Sequence, residues 1–322
     1  SFSNTEEDTS LAYLHDVGFI PKIQNGTHGF KVVVGGGLGA QPMLAHTAYE
    51  FLAEDLVIPF IESVLRVFDR HGERNSRHKA RMKFLIQKIG FEEFMNLVNA
   101  ETKALKNHSF AIADASAWEV AEPTLQADIA APETAEYQTW IDTNTFEQKQ
   151  AGFHAVYVRI LNGNISSDTS RSLIEALKGY IGDDIRITIN QGLMLKFVPT
   201  ANLPYVFQVL NAHGLAAPGA NSIANITACP GTDTCNLAIS DSTNITSKLE
   251  QVINEEFPAL IHDSAMKIKI SGCMNACGQH SMASIGFHGS SLKAADKRVL
   301  PALQVLIGGA TLGNGEGRIA DK

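Results

Sequence analysis

Four cysteines are the residues of this chain most suited to chemistry, because they fall into two tight pairs flanked by residues typical of turns. The first pair lies in Ala228-Cys229-Pro230-Gly231-Thr232-Asp233-Thr234-Cys235-Asn236, with five residues between the thiols. The second lies in Ser271-Gly272-Cys273-Met274-Asn275-Ala276-Cys277-Gly278, with three between them. Thiols gathered so closely in a chain of 322 residues read as ligands rather than as scattered core residues. A disulfide framework belongs to short secreted chains. Structural zinc separates the members of a pair by two to four residues, so the second pair suits it and the first does not. An iron–sulfur cluster needs four thiolates delivered by loops, with backbone amides pointing at the sulfurs, and the Gly and Pro around these cysteines suit that. Spacing favours the cluster and leaves zinc as the alternative, in which the four thiols hold one structural ion.

The neighbours of the cysteines add a resemblance. Thr-Ala-Cys-Pro-Gly-Thr-Asp-Thr-Cys-Asn-Leu-Ala, followed by Ile-Ser-Gly-Cys-Met-Asn-Ala-Cys-Gly-Gln, resembles the signature of the sirohaem nitrite and sulfite reductases. The resemblance implies a [4Fe–4S] cluster on Cys229, Cys235, Cys273 and Cys277, with Cys277 also bridging to the iron of a sirohaem and so standing at the catalytic centre. It implies a six-electron reduction, of nitrite to ammonium or of sulfite to sulfide, fed by ferredoxin or another electron donor. The Cys277-Gly278-Gln279 ending looks more like the nitrite members. Asn275 and Gln279 are polar neighbours of the cluster. Asn275 is carried as a cofactor-binding candidate, whereas His280 reads as an imidazole at the surface or behind the ligands rather than as an iron ligand.

The elements that must position these thiols can be read from periodicity. Phe30 to Val34 reads as a buried strand running into Gly35-Gly36-Gly37-Leu38-Gly39-Ala40, with a helix expected to open at Pro42. That is a loose dinucleotide-binding fingerprint, but a dinucleotide fold needs a second strand ending in an acidic residue about twenty positions on. Helical spacing follows instead, through Ile61, Val64, Leu65 and Phe68, then Met82, Leu85, Ile86 and Ile89, then Phe91, Phe94, Leu97 and Val98. Among these helices runs a basic stretch that includes Arg70, Arg74, Arg77, Arg81 and Lys83. Most of it reads as a solvated face, with part of the set expected to share one side of a helix. Its pattern resembles the family, which makes Arg81 and Lys83 candidates for cofactor binding.

Further on, strand-like Phe153 to Leu161, a helix over Ser170 to Tyr180, alternating Ile185 to Ile189, a strand over Leu193 to Val198 and a helix through Leu203 to Leu210 predict a ferredoxin-like α+β unit. Arg186 reads as an exposed strand residue and Gln191 as a turn residue within reach of the cofactor. The cysteine loops should then lie between strands, Met266 to Ile270 and Met282 to Phe287, with a helix carrying Leu249, Val252 and Ile253. Leu300 to Ile307 reads as a further buried strand.

The expected fold class is therefore α+β and α/β, in the architecture of the sirohaem reductases. Residues 1–118 form the later part of a first α/β domain, 119–138 a linker, 139–218 the ferredoxin-like half-domain and 219–322 the start of the cluster-bearing α/β domain. A composition 44% hydrophobic and 19% charged is that of a globular chain, and the net charge of −8 argues against a nucleic-acid partner. No run of residues is apolar enough to span a bilayer and the polar start is not a signal peptide, so a cytoplasmic location is expected. The start without Met and the glycine-rich stretch Gly313 to Arg318 lead to the expectation of an internal fragment. Such a fragment lacks the substrate-binding Arg and Lys residues of the first half and is expected to be inactive alone.

Overall fold

The computed structural model describes residues 1–5, 8–113, 122–311 and 317–321. It divides into two compact units, one built from residues up to 115 together with 308–321 and the other from 116–307.

In the first unit β1 (Val17–Gln24), β2 (Thr27–Val34) and β3 (His46–Ala53) make an antiparallel sheet in that order. The period of two along a strand sorts its side chains. Phe19, Val32 and Val34 enter one core, and Ile20 and Val33 enter a smaller one with Ala12, Tyr13 and Ala45. The larger core is closed by α1 (Val57–His71), α2 (Met82–Ile89) and α3 (Phe91–Ala104), which bury Phe60, Val64, Val67, Leu85, Ile86, Phe94 and Val98. Gly90, at φ 86°, separates α2 from α3 in a conformation that disfavours other residues.

Two expectations fail here. No helix opens at Pro42: Gly37 and Met43 exchange backbone hydrogen bonds at 2.9 Å and fold the glycine loop back, so the chain returns as β3, antiparallel to β2 with Val34 opposite His46. A strand rich in Thr, Tyr, Phe and Leu pairs readily once the loop has turned it, and the local helix signal is overridden. The antiparallel return also removes the parallel βαβ unit that dinucleotide binding requires. Nor does the basic stretch share a helix face. Arg70 lies at the end of α1, Arg74 in the following loop, Arg77 in a short 3-10 turn, Arg81 at the N-cap of α2 and Lys83 inside it. α1 ends at Gly72, which interrupts the spacing on which a shared face depends.

The second unit begins, among the described residues, with an irregular stretch on which Thr124 and Leu125 both donate to the Gly179 carbonyl at 2.9 Å; residues 119–121 of the expected linker lie outside the described residues. α4 (Ala135–Asn144), capped by Thr134, leads into β4 (Thr145–Glu147), β5 (Phe153–Val158), α5 (Ser167–Leu177), β6 (Ile185–Ile187), β7 (Leu193–Pro199) and α6 (Leu203–Ala212). The strands pair antiparallel in the order β4-β5-β7-β6. Trp140, Val156, Leu173, Leu177, Leu195, Val206 and Phe207 fill the space between sheet and helices. This is the ferredoxin-like half expected from the order of its elements.

The cysteine-bearing part follows: β8 (Thr227–Ala228), α7 (Ser242–Glu256), β9 (Ile268–Ser271), β10 (Ile285–Lys293) and β11 (Val299–Ile307). The sheet order is β11-β10-β9-β8, with β8, β9 and β10 mutually parallel and β11 antiparallel to β10. Ala228, Ile268 and Ile270 pack with Ile226 and the α7 residue Ile253. β11 is not the buried strand its sequence suggests. It is the edge strand, and Val299 and Ile307 are 67% and 65% exposed, since alternate positions of an edge strand need another layer to cover them and none of the described elements does. The last strands, β12 (Ala310–Thr311) and β13 (Gly317–Arg318), pair with each other in the first unit; residues 312–316 of the expected terminal loop lie outside the described residues.

Candidate metal centre

Parallel pairing sets the site. With Ala228 opposite Ile270, β8 and β9 end at the same edge of the sheet, and each runs directly into a cysteine loop. The outside of the carboxyl ends of parallel strands is where such sheets bind ligands. Two glycines let the loops touch: a side chain on Gly272 would lie 2.7 Å from the Gly231 Cα, and one on Gly231 would lie 2.3 Å from the Ser242 Oγ. The Cys229 N–H donates to the Ile270 carbonyl at 3.1 Å, while the Gly272 N–H donates to the Cys229 sulfur at 3.1 Å. Ser242, the first residue of α7, donates its hydroxyl to the Cys229 carbonyl at 2.7 Å and lies 3.7 Å from the sulfur. The Cys229 thiol thus lies beside the first residue of α7. The Cys273 loop is held from below, where the Gly278 N–H donates to the Ser271 Oγ at 3.0 Å and Ala276 and Gln279 take left-handed φ values of 63° and 60°.

Cys273 is buried, Cys229 and Cys235 are half-buried and Cys277 is exposed. Partial burial raises the Cys277 thiol above the ordinary range, and Cys229, Cys273 and Cys235 push it the same way. Among the described residues, however, no three His, Cys, Asp or Glu side chains approach closely enough to hold a single metal ion. The two cysteine loops lie side by side with an amide N–H already aimed at one sulfur, an arrangement that suits thiolates delivered by loops to an iron–sulfur cluster.

Asn275 is exposed on the turn between Cys273 and Cys277. Arg81 and Lys83 belong to the other unit, at the glycine loop. Arg81 forms a bidentate pair with Asp16 at 2.8 and 3.3 Å, and the buried Lys83 ammonium donates to the carbonyls of Gly37, Leu38 and Gln41 at 3.1, 2.8 and 2.6 Å. Lys83 therefore fixes the shape of that loop.

Lys269 was not singled out by the sequence. It is buried on β9, and burial, with Lys267 nearby, lowers its ammonium to about 8. Its acceptors are neutral: Gln279 Oε1 at 3.1 Å and Thr227 Oγ1 at 3.4 Å. The alternation of β9, with Ile268 and Ile270 in the core, places Lys269 and Ser271 on the other face, the one signal that could have marked it.

His280 is buried, 2% exposed, with its ring 4.8 Å from that of His288 and its Nδ1 without a hydrogen-bond partner among the described residues. Burial, with His288 facing it, holds the imidazole down to about 4, against 6.5 when free. Because the folded value lies below the unfolded one, the unfolded chain takes up the proton first as pH falls. Stability is unaffected above about 6.5, falls between about 6.5 and 4, and carries the full penalty, on the order of 3 kcal/mol, below that. A His280→Leu variant should flatten this slope, which denaturant melts at about pH 7 and about pH 5 would measure; an unchanged slope would remove His280 as its cause.

Comparison with known proteins gives the following. The model of the nitrite and sulphite reductase 4Fe-4S domain matches residues 1–106 and 219–319, and that of the nitrite/sulfite reductase ferredoxin-like half domain matches 146–213. The chain is 26% identical over 306 residues to the ferredoxin–nitrite reductase of Synechococcus elongatus, covering 94% of this chain and 55% of the relative. It is 27% identical over 301 residues to sulfite reductase (ferredoxin) 1 of Mycolicibacterium paratuberculosis, covering 92% and 50%. The structure of the Mycobacterium tuberculosis NirA protein shares the fold, with a TM-score of 0.77 at 24% identity over 98% of this chain and 54% of that one. The chain spans about half the length of the curated relatives it matches. No helix among the described residues is long and apolar enough to cross a membrane.

Proposed function

This chain belongs to the nitrite and sulphite reductase family, and from that premise we propose that it forms the cluster-bearing part of an oxidoreductase that reduces nitrite to ammonium with six electrons. The observation that carries the reading is that two parallel strands end side by side in the two cysteine loops, with the Gly272 N–H of one loop donating to the Cys229 sulfur of the other. When bound, a [4Fe–4S] cluster and a sirohaem, the cofactors of the family, supply electron storage and the iron at which the anion is reduced.

The chain's own residues hold and tune that centre. Cys229, Cys235, Cys273 and Cys277 are the cluster ligands, with Cys277 shared with the sirohaem. The Gly272 N–H offsets negative charge on the Cys229 sulfur. Lys269, buried without an acidic hydrogen-bond partner, adds an uncompensated positive charge behind the Gln279 side chain. Arg81, Lys83 and Asn275 are assigned to the cofactor: Arg81 presents a partly exposed guanidinium suited to carboxylates, Lys83 sets the loop from which a contact is made, and Asn275 lies on the turn between two ligands. The domain limits at 118, 138 and 218 belong to the same reading. A ferredoxin is the electron donor, as the names of the relatives support, and a cytoplasmic location keeps the thiols reduced. Nitrite is preferred to sulfite on the Cys277-Gly278-Gln279 ending.

The test is an ultraviolet–visible spectrum with iron, acid-labile sulfide and zinc analysis on protein expressed with sirohaem supply. Turnover of nitrite and of sulfite with reduced ferredoxin follows. Sirohaem bands with cluster iron and faster nitrite turnover are expected. Faster sulfite turnover would reassign the substrate, and a colourless protein carrying one zinc would overturn the reading.

A further inference from the structure

β8 is the edge strand of its sheet. Its pairing with β9 uses the outward groups of its neighbours: the Cys229 N–H reaches Ile270, and the residue before it must face the other way. The N–H and C=O of Ala228 therefore point from the open edge, where a further strand would take both. No strand among the described residues does so. A side chain does: the Gln191 Oε1 accepts from the Ala228 N–H at 2.9 Å and the Gln191 Nε2 donates to the Ala228 carbonyl at 2.7 Å. A carboxamide can present one N–H and its C=O side by side in the same plane, so Gln191 replaces one residue of a missing strand.

Gln191 is held for this task. It lies in the tight turn before β7, where the Thr188 N–H donates to the Gly192 carbonyl at 2.9 Å and the Gly192 N–H to the Thr188 Oγ1 at 3.0 Å. Its φ is 63°, the left-handed region in which a non-glycine residue stores strain. Gly163 leaves room beside it: a side chain there would lie 3.1 Å from the Gln191 Cβ.

We infer that Gln191 is a positioning residue for the metal centre, a side-chain clamp by which the ferredoxin-like half fixes the Ala228–Cys229 peptide and so aims the Cys229 thiol. The inference rests on the four cysteines being cluster ligands. It gives the ferredoxin-like half a direct hold on the residue before one ligand, 37 residues away in sequence from the clamp.

The experiment compares cluster-loaded full-length protein with Gln191→Met, which keeps length and loses both hydrogen bonds, and with Gln191→Glu, which keeps the acceptor and loses the donor. Three quantities are read: hydrogen exchange at the Ala228 amide, iron release to a chelator, and the electron paramagnetic resonance spectrum of the reduced cluster. Gln191→Met should speed exchange and iron release each by about tenfold and alter the spectrum. Gln191→Glu should restore protection of the Ala228 N–H while leaving its carbonyl unpaired, with iron release between the other two; it also serves if the Met variant fails to fold. Wild-type exchange and iron release in both variants would overturn the inference, as would faster iron release with Ala228 exchange unchanged. A wild-type protein that binds no cluster would overturn the cluster reading and this inference together, whereas a loaded wild type matched by its variants would overturn this inference alone.

Discussion

Replacing Arg159 with methionine is expected to lower the unfolding free energy by about 3–5 kcal/mol. Arg159 and Glu250 are both buried, their side chains 7% and 12% exposed, and pair at 3.0 Å. The guanidinium also donates to the carbonyls of Pro218 and Ala224, while the second Glu250 oxygen accepts from the Ile226 N–H at 2.9 Å. The network therefore ties the end of β5 to the backbone that leads into β8 and to the middle of α7. Removing the cation leaves a buried carboxylate facing carbonyls, which is worse than the absence of both charges. An Arg159→Met, Glu250→Leu double variant should accordingly lose less than the sum of the two single changes. Urea melts of all three decide it. Additive losses would mean that the two charges do not depend on each other.

Gly289→Ala is expected to empty the metal centre. A Cβ at Gly289 would lie 1.9 Å from the Gly272 carbonyl oxygen, 2.5 Å from its carbon and 3.2 Å from the Cys273 nitrogen, all backbone atoms that no side-chain rotation can move away. Overpacking of about 1–3 kcal/mol is the usual cost where side chains absorb the strain, and here the backbone leading from β9 into Cys273 must move instead. Iron and acid-labile sulfide per chain should fall about tenfold or more, while Ser291→Ala, at an exposed position further along β10, leaves them unchanged. Full cluster content in Gly289→Ala would show that β9 and β10 can separate without disturbing the ligand.

How much of this was legible depended on whether the cause was local. The thiols were legible because cysteine carries its chemistry with it and its spacing limits what it can bind. The helices through Val64, Leu85 and Phe94 and the strands β5 and β7 were legible because their apolar residues face the cores they bury, whereas Ile185 to Ile189 alternates in sequence and yet β6 is exposed throughout. The return of β3 was not, since the Gly37–Met43 pairing that turns the chain competes with a helix start at Pro42 that looks sound by itself. Lys83 reads as a cofactor-binding candidate within a basic run, yet its ammonium is buried against three carbonyls of a loop more than forty residues away. Gln191 reads as a turn residue, which it is, and its second role depends on an edge strand that only the folded sheet creates. The exposure of β11 likewise depends on what neighbours the sheet lacks, a property that no run of apolar residues encodes.

The contact between the Gly231 and Gly272 backbones also fixes an order of events. Cys229 and Gly272 are 43 residues apart, and the thiols converge only when β8 has paired with β9 across the whole of α7. Parallel pairing of this kind closes a long loop before it returns any contact energy, so it is slow and must be driven by the apolar core of Ile226, Ile253, Ile268 and Ile270. The approach of the two cysteine loops therefore depends on a core that contains none of the four thiols.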